Sequence, residues 1–148
     1  MVKVKGLYGF TLIELVLVIA ILGILAVVAL PTLFNTTLTS ARGNAAAMTA
    51  ASVQEGLGIY VGDQVAQGKP KSYPAALDAV ADGTLASPAN VLFKTILEEG
   101  VTSSWIKKAG TCYVYDKDGS GTVGTTAQDD FYAYDSAAGS FLFIAAGC

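Results

Sequence analysis

The chain contains no histidine. That absence removes Ser-His-Asp and Cys-His nucleophilic sites, histidine-ligated zinc and Cys-x-x-Cys-His haem attachment in one step. Cysteine is nearly absent as well, with Cys112 and Cys148 the only two in 148 residues. Charged residues make up only 14% of the chain, and Arg42, Lys69, Lys71, Lys94, Lys107, Lys108 and Lys117 are scattered. A nucleic-acid binder shows a clustered basic patch, so no direct nucleic-acid contact is expected. No clustered acids, activated nucleophile or phosphate loop suggests catalysis.

What the chain has in excess is apolar sequence, 53% overall, concentrated in one place. Met1 to Gly9 carries Lys3 and Lys5 and no acid; Phe10-Thr11-Leu12-Ile13-Glu14 follows, and then sixteen uncharged residues, Leu15 to Leu30. A secretory signal peptide places its cleavage site after the apolar stretch, but here that stretch runs into Ala29-Leu30-Pro31-Thr32-Leu33-Phe34 with no small-residue exit site. Any cleavage is therefore expected before the apolar run. As a helix, residues 10–30 would span about 31 Å, close to the hydrocarbon thickness of a bilayer. Lys3 and Lys5 would hold the leader on the cytoplasmic face, placing everything after Pro31 on the far side. Removal of those two lysines takes the net charge from −3 to −5.

Gly9, Phe10, Thr11, Leu12, Ile13 and Glu14, with Gly23 and Pro31, resemble the class III signal of type IV pilins and type II secretion pseudopilins. The resemblance implies cleavage by a prepilin peptidase between Gly9 and Phe10, and methylation of the new amino terminus at Phe10. It implies an α+β, type IV pilin-like fold, with a long N-terminal helix packed on a C-terminal antiparallel sheet. The expected parts are a leader at 1–9, a membrane and polymerisation helix at 10–30, its amphipathic continuation at 31–62 and a globular head at 63–148. A carboxylate in an apolar run is costly and needs a partner. For Glu14, that partner is expected to be the α-amino group of processed Phe10, its own or a neighbouring subunit's, and the resemblance assigns Glu14 to subunit recruitment. Pro31 cannot donate to the carbonyl of Val27 and Gly23 weakens the same stretch, so a helix break is expected there.

Beyond Pro31, the stripe Phe34, Leu38, Ala41, Ala45 and Met48 predicts an amphipathic helix that shifts phase to Val53, Leu57 and Tyr60 and ends near Gly62. A polar connection follows, with a short helical piece at Ala75 to Ala81. Ser87-Pro88 and Gly100 bracket a second expected helix, from Pro88 to Glu99, burying Val91, Leu92, Ile96 and Leu97. Ser104 to Lys107, Thr111 to Tyr115, Phe131 to Asp135 and Ser140 to Ile144 read as strands of an antiparallel sheet.

Cys112 and Cys148 either pair, as an oxidising compartment favours, or remain two free thiols. Asp116, Asp118 and Ser120 stand at the first, third and fifth positions of a half EF-hand loop with Gly121 at the sixth. Ala127 takes the twelfth position, where the bidentate glutamate belongs, so Asp129 or Asp130 would have to replace it. The alternative is an ordinary Asp-Gly turn without Ca2+. The resemblance implies a structural subunit, not an enzyme: a pilus subunit for adhesion, motility or uptake, or a pseudopilin of a secretion piston. Its partners would be copies of itself, the prepilin peptidase and methyltransferase, an inner-membrane assembly platform and minor pilins or pseudopilins. It would reside in the inner membrane before assembly, then in an extracellular pilus or periplasmic pseudopilus.

Overall fold

The computed structural model describes residues 9–148, and at 30–36 the backbone alone. The leader before Gly9 and the side chains of Pro31 and Phe34 lie outside the described residues. One long helix, α1 (Leu12–Ala66), precedes five strands: β1 (Thr84–Leu85), β2 (Trp105–Ala109), β3 (Cys112–Tyr115), β4 (Asp130–Asp135) and β5 (Ser140–Phe143). The chain divides into two compact units, one ending at Leu38 and one comprising Thr39–Cys148.

In the first unit the helix carries the apolar window Leu12–Ala29, with a mean hydropathy of 3.1 and no residue buried against the rest of the chain. The expected break at Gly23 and Pro31 is not found, because helical backbone continues through both. Proline withholds a single N–H from the ladder, and the turns on either side keep theirs.

In the second unit the helix meets the sheet through Ala46, Ala50, Val53 and Leu57, spaced four, three and four residues apart. The stripe expected from Leu38, Ala41, Ala45 and Met48 is corrected: all four are exposed. Small Ala46 and Ala50 take the buried face because they let the helix approach the aromatic layer closely. At Gly56 the helix meets the turns before β2, where an added Cβ would stand 2.8 Å from the Ile96 carbonyl oxygen. Gly62 does not end the helix. Its end is a Schellman motif at Gly68 (φ 75°), where the Lys69 N–H reaches the Gln64 carbonyl at 3.0 Å and the Gly68 N–H that of Val65 at 2.9 Å.

The five strands form an antiparallel meander in sequence order. All four expected strands are present within a residue or two of their bounds; β1, two residues long, was missed. Side chains alternate across the sheet. Trp105, Tyr113, Tyr115, Tyr132, Tyr134 and Phe141 face the helix, while Ile106, Cys112, Val114 and Phe131 form a second cluster on the other face. Gln54 clips α1 to edge strand β5, its Nε2 donating to the Gly139 carbonyl and its Oε1 accepting the Phe141 N–H, both at 2.9 Å.

Neither short helix is found. Residues 75–81 form an irregular loop, and 88–99 is a series of turns between the bridges Ser87–Asn90 and Leu92–Val101. Tertiary packing overrides the start and stop residues here. Phe93, fully buried with φ at 58°, puts its ring 4.8 Å from Tyr113 and 5.4 Å from both Trp105 and Phe141. A helical backbone at Phe93 is incompatible with that dihedral. Of the four residues expected on the buried face, Leu92 is fully buried and Val91, Ile96 and Leu97 are half-buried.

The loop is fixed by the buried carboxylate of Asp78. Its Oδ1 accepts from Lys107 Nζ at 3.0 Å and the Val80 N–H at 3.1 Å; its Oδ2 accepts from the Tyr113 hydroxyl at 2.9 Å and the Phe93 N–H at 3.4 Å. Lys107 also donates to the Val80 carbonyl at 2.8 Å. Burial, and secondarily the Asp78 charge, pushes the Tyr113 phenol well above its ordinary value, so it stays protonated as a donor. Asp78→Ala would leave the Lys107 ammonium buried without its counter-charge. We expect a loss of about 3–5 kcal/mol, read as a fall in the denaturation midpoint of the detergent-solubilised chain; a loss below about 1 kcal/mol would contradict the assignment.

Candidate functional site

The N-terminal motif is built around the start of α1. Gly9 and Phe10 are exposed and non-helical, so the bond between them lies outside the hydrogen-bonded ladder. Thr11 is the N-cap. Its carbonyl accepts the Leu15 N–H at 3.3 Å and its Oγ1 accepts the Glu14 N–H at 3.4 Å. Glu14 reaches back, its Oε2 accepting the Thr11 N–H at 2.9 Å and the Thr11 hydroxyl at 2.7 Å. This is a capping box. Glu14 thus finds its partner in Thr11, where an amine on Phe10 was expected; with the leader attached, Phe10 offers only an amide. The pattern Thr-x-x-Glu at 11–14 was legible in the sequence and would have found Thr11. An added Cβ at Gly9 would meet nothing within 4 Å, so this chain does not itself require glycine there.

The two cysteines are joined. Cys112 and Cys148 form a disulfide with their Cα atoms 5.9 Å apart, closing a sequence separation of 36 residues. The bond draws the C-terminal tail toward the sheet face that carries Val114 and Phe131. Lys108 Nζ donates to the Cys148 carbonyl and sits 5.0 Å from the centre of the Phe131 ring. The Ile144 N–H reaches the Phe131 carbonyl at 2.7 Å.

The acidic loop brings Asp129 to two of the residues that the sequence suggested. Asp116, Asp118 and Asp129 bring carboxylate oxygens within 4.8 Å of one another. Asp116 Oδ1 accepts the N–H groups of Gly119 and Ser120, and its Oδ2 that of Gly121. Asp129, fully buried, accepts the N–H groups of Lys117 and Gly124. The Ser120 hydroxyl, in the same loop, donates to the Thr122 carbonyl at 3.1 Å. Asp130 turns to Lys117 Nζ at 2.9 Å. With Ala127 at the twelfth position, chain return is left to Asp129, whose buried carboxylate closes the loop from below. The Ser120 N–H holds the Asp118 carboxyl below the ordinary aspartate value. From α1, Arg42 donates to the Lys117 carbonyl at 2.8 Å and lies against Gly119. Three carboxylates are the oxygen donors a hard cation takes, so the donor set suits Ca2+, while the same oxygens already organise the turn through backbone N–H groups.

Residues 8–30 match the family model described as the prokaryotic N-terminal methylation motif. The chain carries a class III prepilin-type signal. The match covers Gly9, Phe10, Glu14 and the apolar window, and stops before the globular unit. Searches of curated proteins and of solved structures returned no match. The long apolar helix and five-stranded antiparallel sheet of this prepilin-type chain are consistent with the α+β, type IV pilin-like fold.

Reducing the disulfide, or replacing it in a Cys112→Ser/Cys148→Ser variant, should lower stability by about 3–4 kcal/mol, the chain-entropy value for a loop of this length. The expected observation is a lower denaturation midpoint in the presence of reductant; an unchanged midpoint would mean that the tail is held without the bond.

Proposed function

We propose that the chain is a structural subunit of a type IV pilus: a prepilin cleaved after Gly9, methylated at Phe10 and polymerised through its N-terminal helix. The observation that carries this reading is Leu12–Ala29, an apolar helical window with no residue buried in its own chain, directly behind an exposed processing bond. Such a surface needs lipid before assembly and neighbouring helices after it. A single carboxylate at its start supplies the polar contact that lipid cannot. The role is structural rather than catalytic. Copies of the chain would be the main partner, with the prepilin peptidase, the assembly platform and minor pilins at the inner membrane. The disulfide suits a subunit exposed outside the cell, where the filament would serve adhesion, motility or uptake. Mass spectrometry of filaments sheared from native cells should find this chain abundant, beginning at methylated Phe10 and two mass units light for the Cys112–Cys148 bond. Finding the processed chain confined to the cell envelope would overturn the pilus reading.

A second reading, a pseudopilin of a type II secretion system, is favoured by the Asp116, Asp118 and Asp129 cluster. On that reading Ca2+ would be held by those three carboxylates, joining the buried Asp129 to the exposed loop and stabilising the folded state by mass action. The melting temperature of the detergent-solubilised full chain should then rise in millimolar Ca2+ relative to chelator, and Asp129→Asn should abolish the rise. An identical melting temperature in both conditions would remove the support for this reading.

A further inference from the structure

Both hydrogen bonds that the Glu14 side chain accepts among the described residues come from Thr11, and both land on Oε2. That leaves Oε1 without a hydrogen bond among the described residues. Glu14 borders a surface hollow of about 360 Å³ whose other lining among the described residues, Phe10, Leu15, Leu17 and Val18, is apolar. A glutamate side chain alone has several rotamers of similar energy, and fixing one of them costs entropy when a partner docks. The Thr11 hydroxyl and N–H meet that cost within the subunit. The arrangement also survives processing, because cleavage at Gly9–Phe10 leaves the Phe10–Thr11 peptide, and with it the Thr11 N–H, intact.

We propose that Thr11 is a positioning residue for assembly, presetting the Glu14 carboxylate with Oε1 free to receive the N-terminal ammonium of a second copy of the chain. This rests on the assembly role proposed above for the N-terminal helix. The occupant follows from chemistry: the hollow offers one anionic acceptor within an apolar wall, and a methylated Phe10 terminus offers two N–H donors on a cation beside an aromatic ring. A charge-assisted bond to an oriented carboxylate in apolar surroundings is strong, whereas a rotationally free carboxylate would first have to be ordered.

The test uses the full-length chain in cells that assemble it, comparing wild type, Thr11→Val, Thr11→Ser, Glu14→Ala and the Thr11→Val/Glu14→Ala double variant. Sheared filament is counted per mature subunit, with the mature chain identified by its Phe10 terminus, so that any change in cleavage divides out. Thr11→Val keeps the shape and the N–H but loses the hydroxyl, and should lower filament yield at least about tenfold, the scale of one charge-assisted hydrogen bond. Thr11→Ser should restore it, and the double variant should assemble no worse than Glu14→Ala alone. Normal assembly of Thr11→Val, or equal failure of Thr11→Val and Thr11→Ser, overturns the positioning role while Glu14→Ala fails. Normal assembly of Glu14→Ala overturns the assembly reading itself.

Discussion

The globular unit depends on one buried carboxylate. Asp78 sits on a loop with no regular structure, yet it gathers donors from three separate parts of the chain: Lys107 on β2, Tyr113 on β3, and the backbone at Val80 and Phe93. A buried charge is stabilising only when it is paired and its remaining acceptor sites are filled, and here both conditions hold. No buried side-chain nitrogen or oxygen among the described residues lacks a hydrogen-bond partner. The irregular 67–104 region can therefore do without helices. Its backbone is held by Asp78, by the Tyr134 hydroxyl donating to the Pro74 carbonyl at 2.6 Å, and by the Phe93 ring in the aromatic layer.

The two halves of α1 answer to different surroundings. From Thr39 onward the helix is one wall of a core completed by its own sheet. From Leu12 to Ala29 it completes nothing within the chain. In lipid, helices gain no hydrophobic drive toward one another, since lipid tails are as apolar as leucine, and association falls to packing and polar contacts. A lone carboxylate therefore weighs more in that window than any of the leucines around it. Its capping bonds to Thr11 give it one direction before any neighbour arrives.

Elements whose pattern is local were legible in the sequence. The processing motif is a continuous run of residues with a fixed order, and the strands advertise themselves by aromatic and β-branched alternation, so both were found close to their true bounds. The helices expected at 75–81 and 88–99 failed because their start and stop residues are local while the deciding contacts, Asp78 and Phe93, are long-range. The buried stripe of α1 was misplaced for the opposite reason. Met48 and Leu38 looked like core by hydropathy, but the residues that pack into the core are Ala46, Ala50, Val53 and Leu57, and no local pattern reveals which face of the helix the sheet covers. Cysteine pairing was readable as a possibility, yet only the position of Cys148 beside β3 decides it. In the acidic loop, spacing found Asp116 and Asp118 and left the missing twelfth-position ligand to Asp129 or Asp130; only the folded loop decides between them, bringing Asp129 to the other two carboxylates while Asp130 pairs with Lys117.

The glycines separate what the subunit needs for itself from what it does not. Gly56 is required by the fold, because a methyl group there would strike the Ile96 carbonyl; at Gly139 an added Cβ would lie 2.0 Å from the Tyr73 ring. Gly23, Gly58 and Gly62 lie within the helix, and an added Cβ would meet nothing within 4 Å at any of them. Each costs the helix about 1 kcal/mol relative to alanine, with no compensating contact inside the chain. A helix that runs from Leu12 to Ala66 can carry that cost, because each added residue brings a ladder bond and its second half packs on the sheet through Ala46, Ala50, Val53 and Leu57. At these three positions the described residues therefore set no steric demand for glycine, in contrast to Gly56 and Gly139.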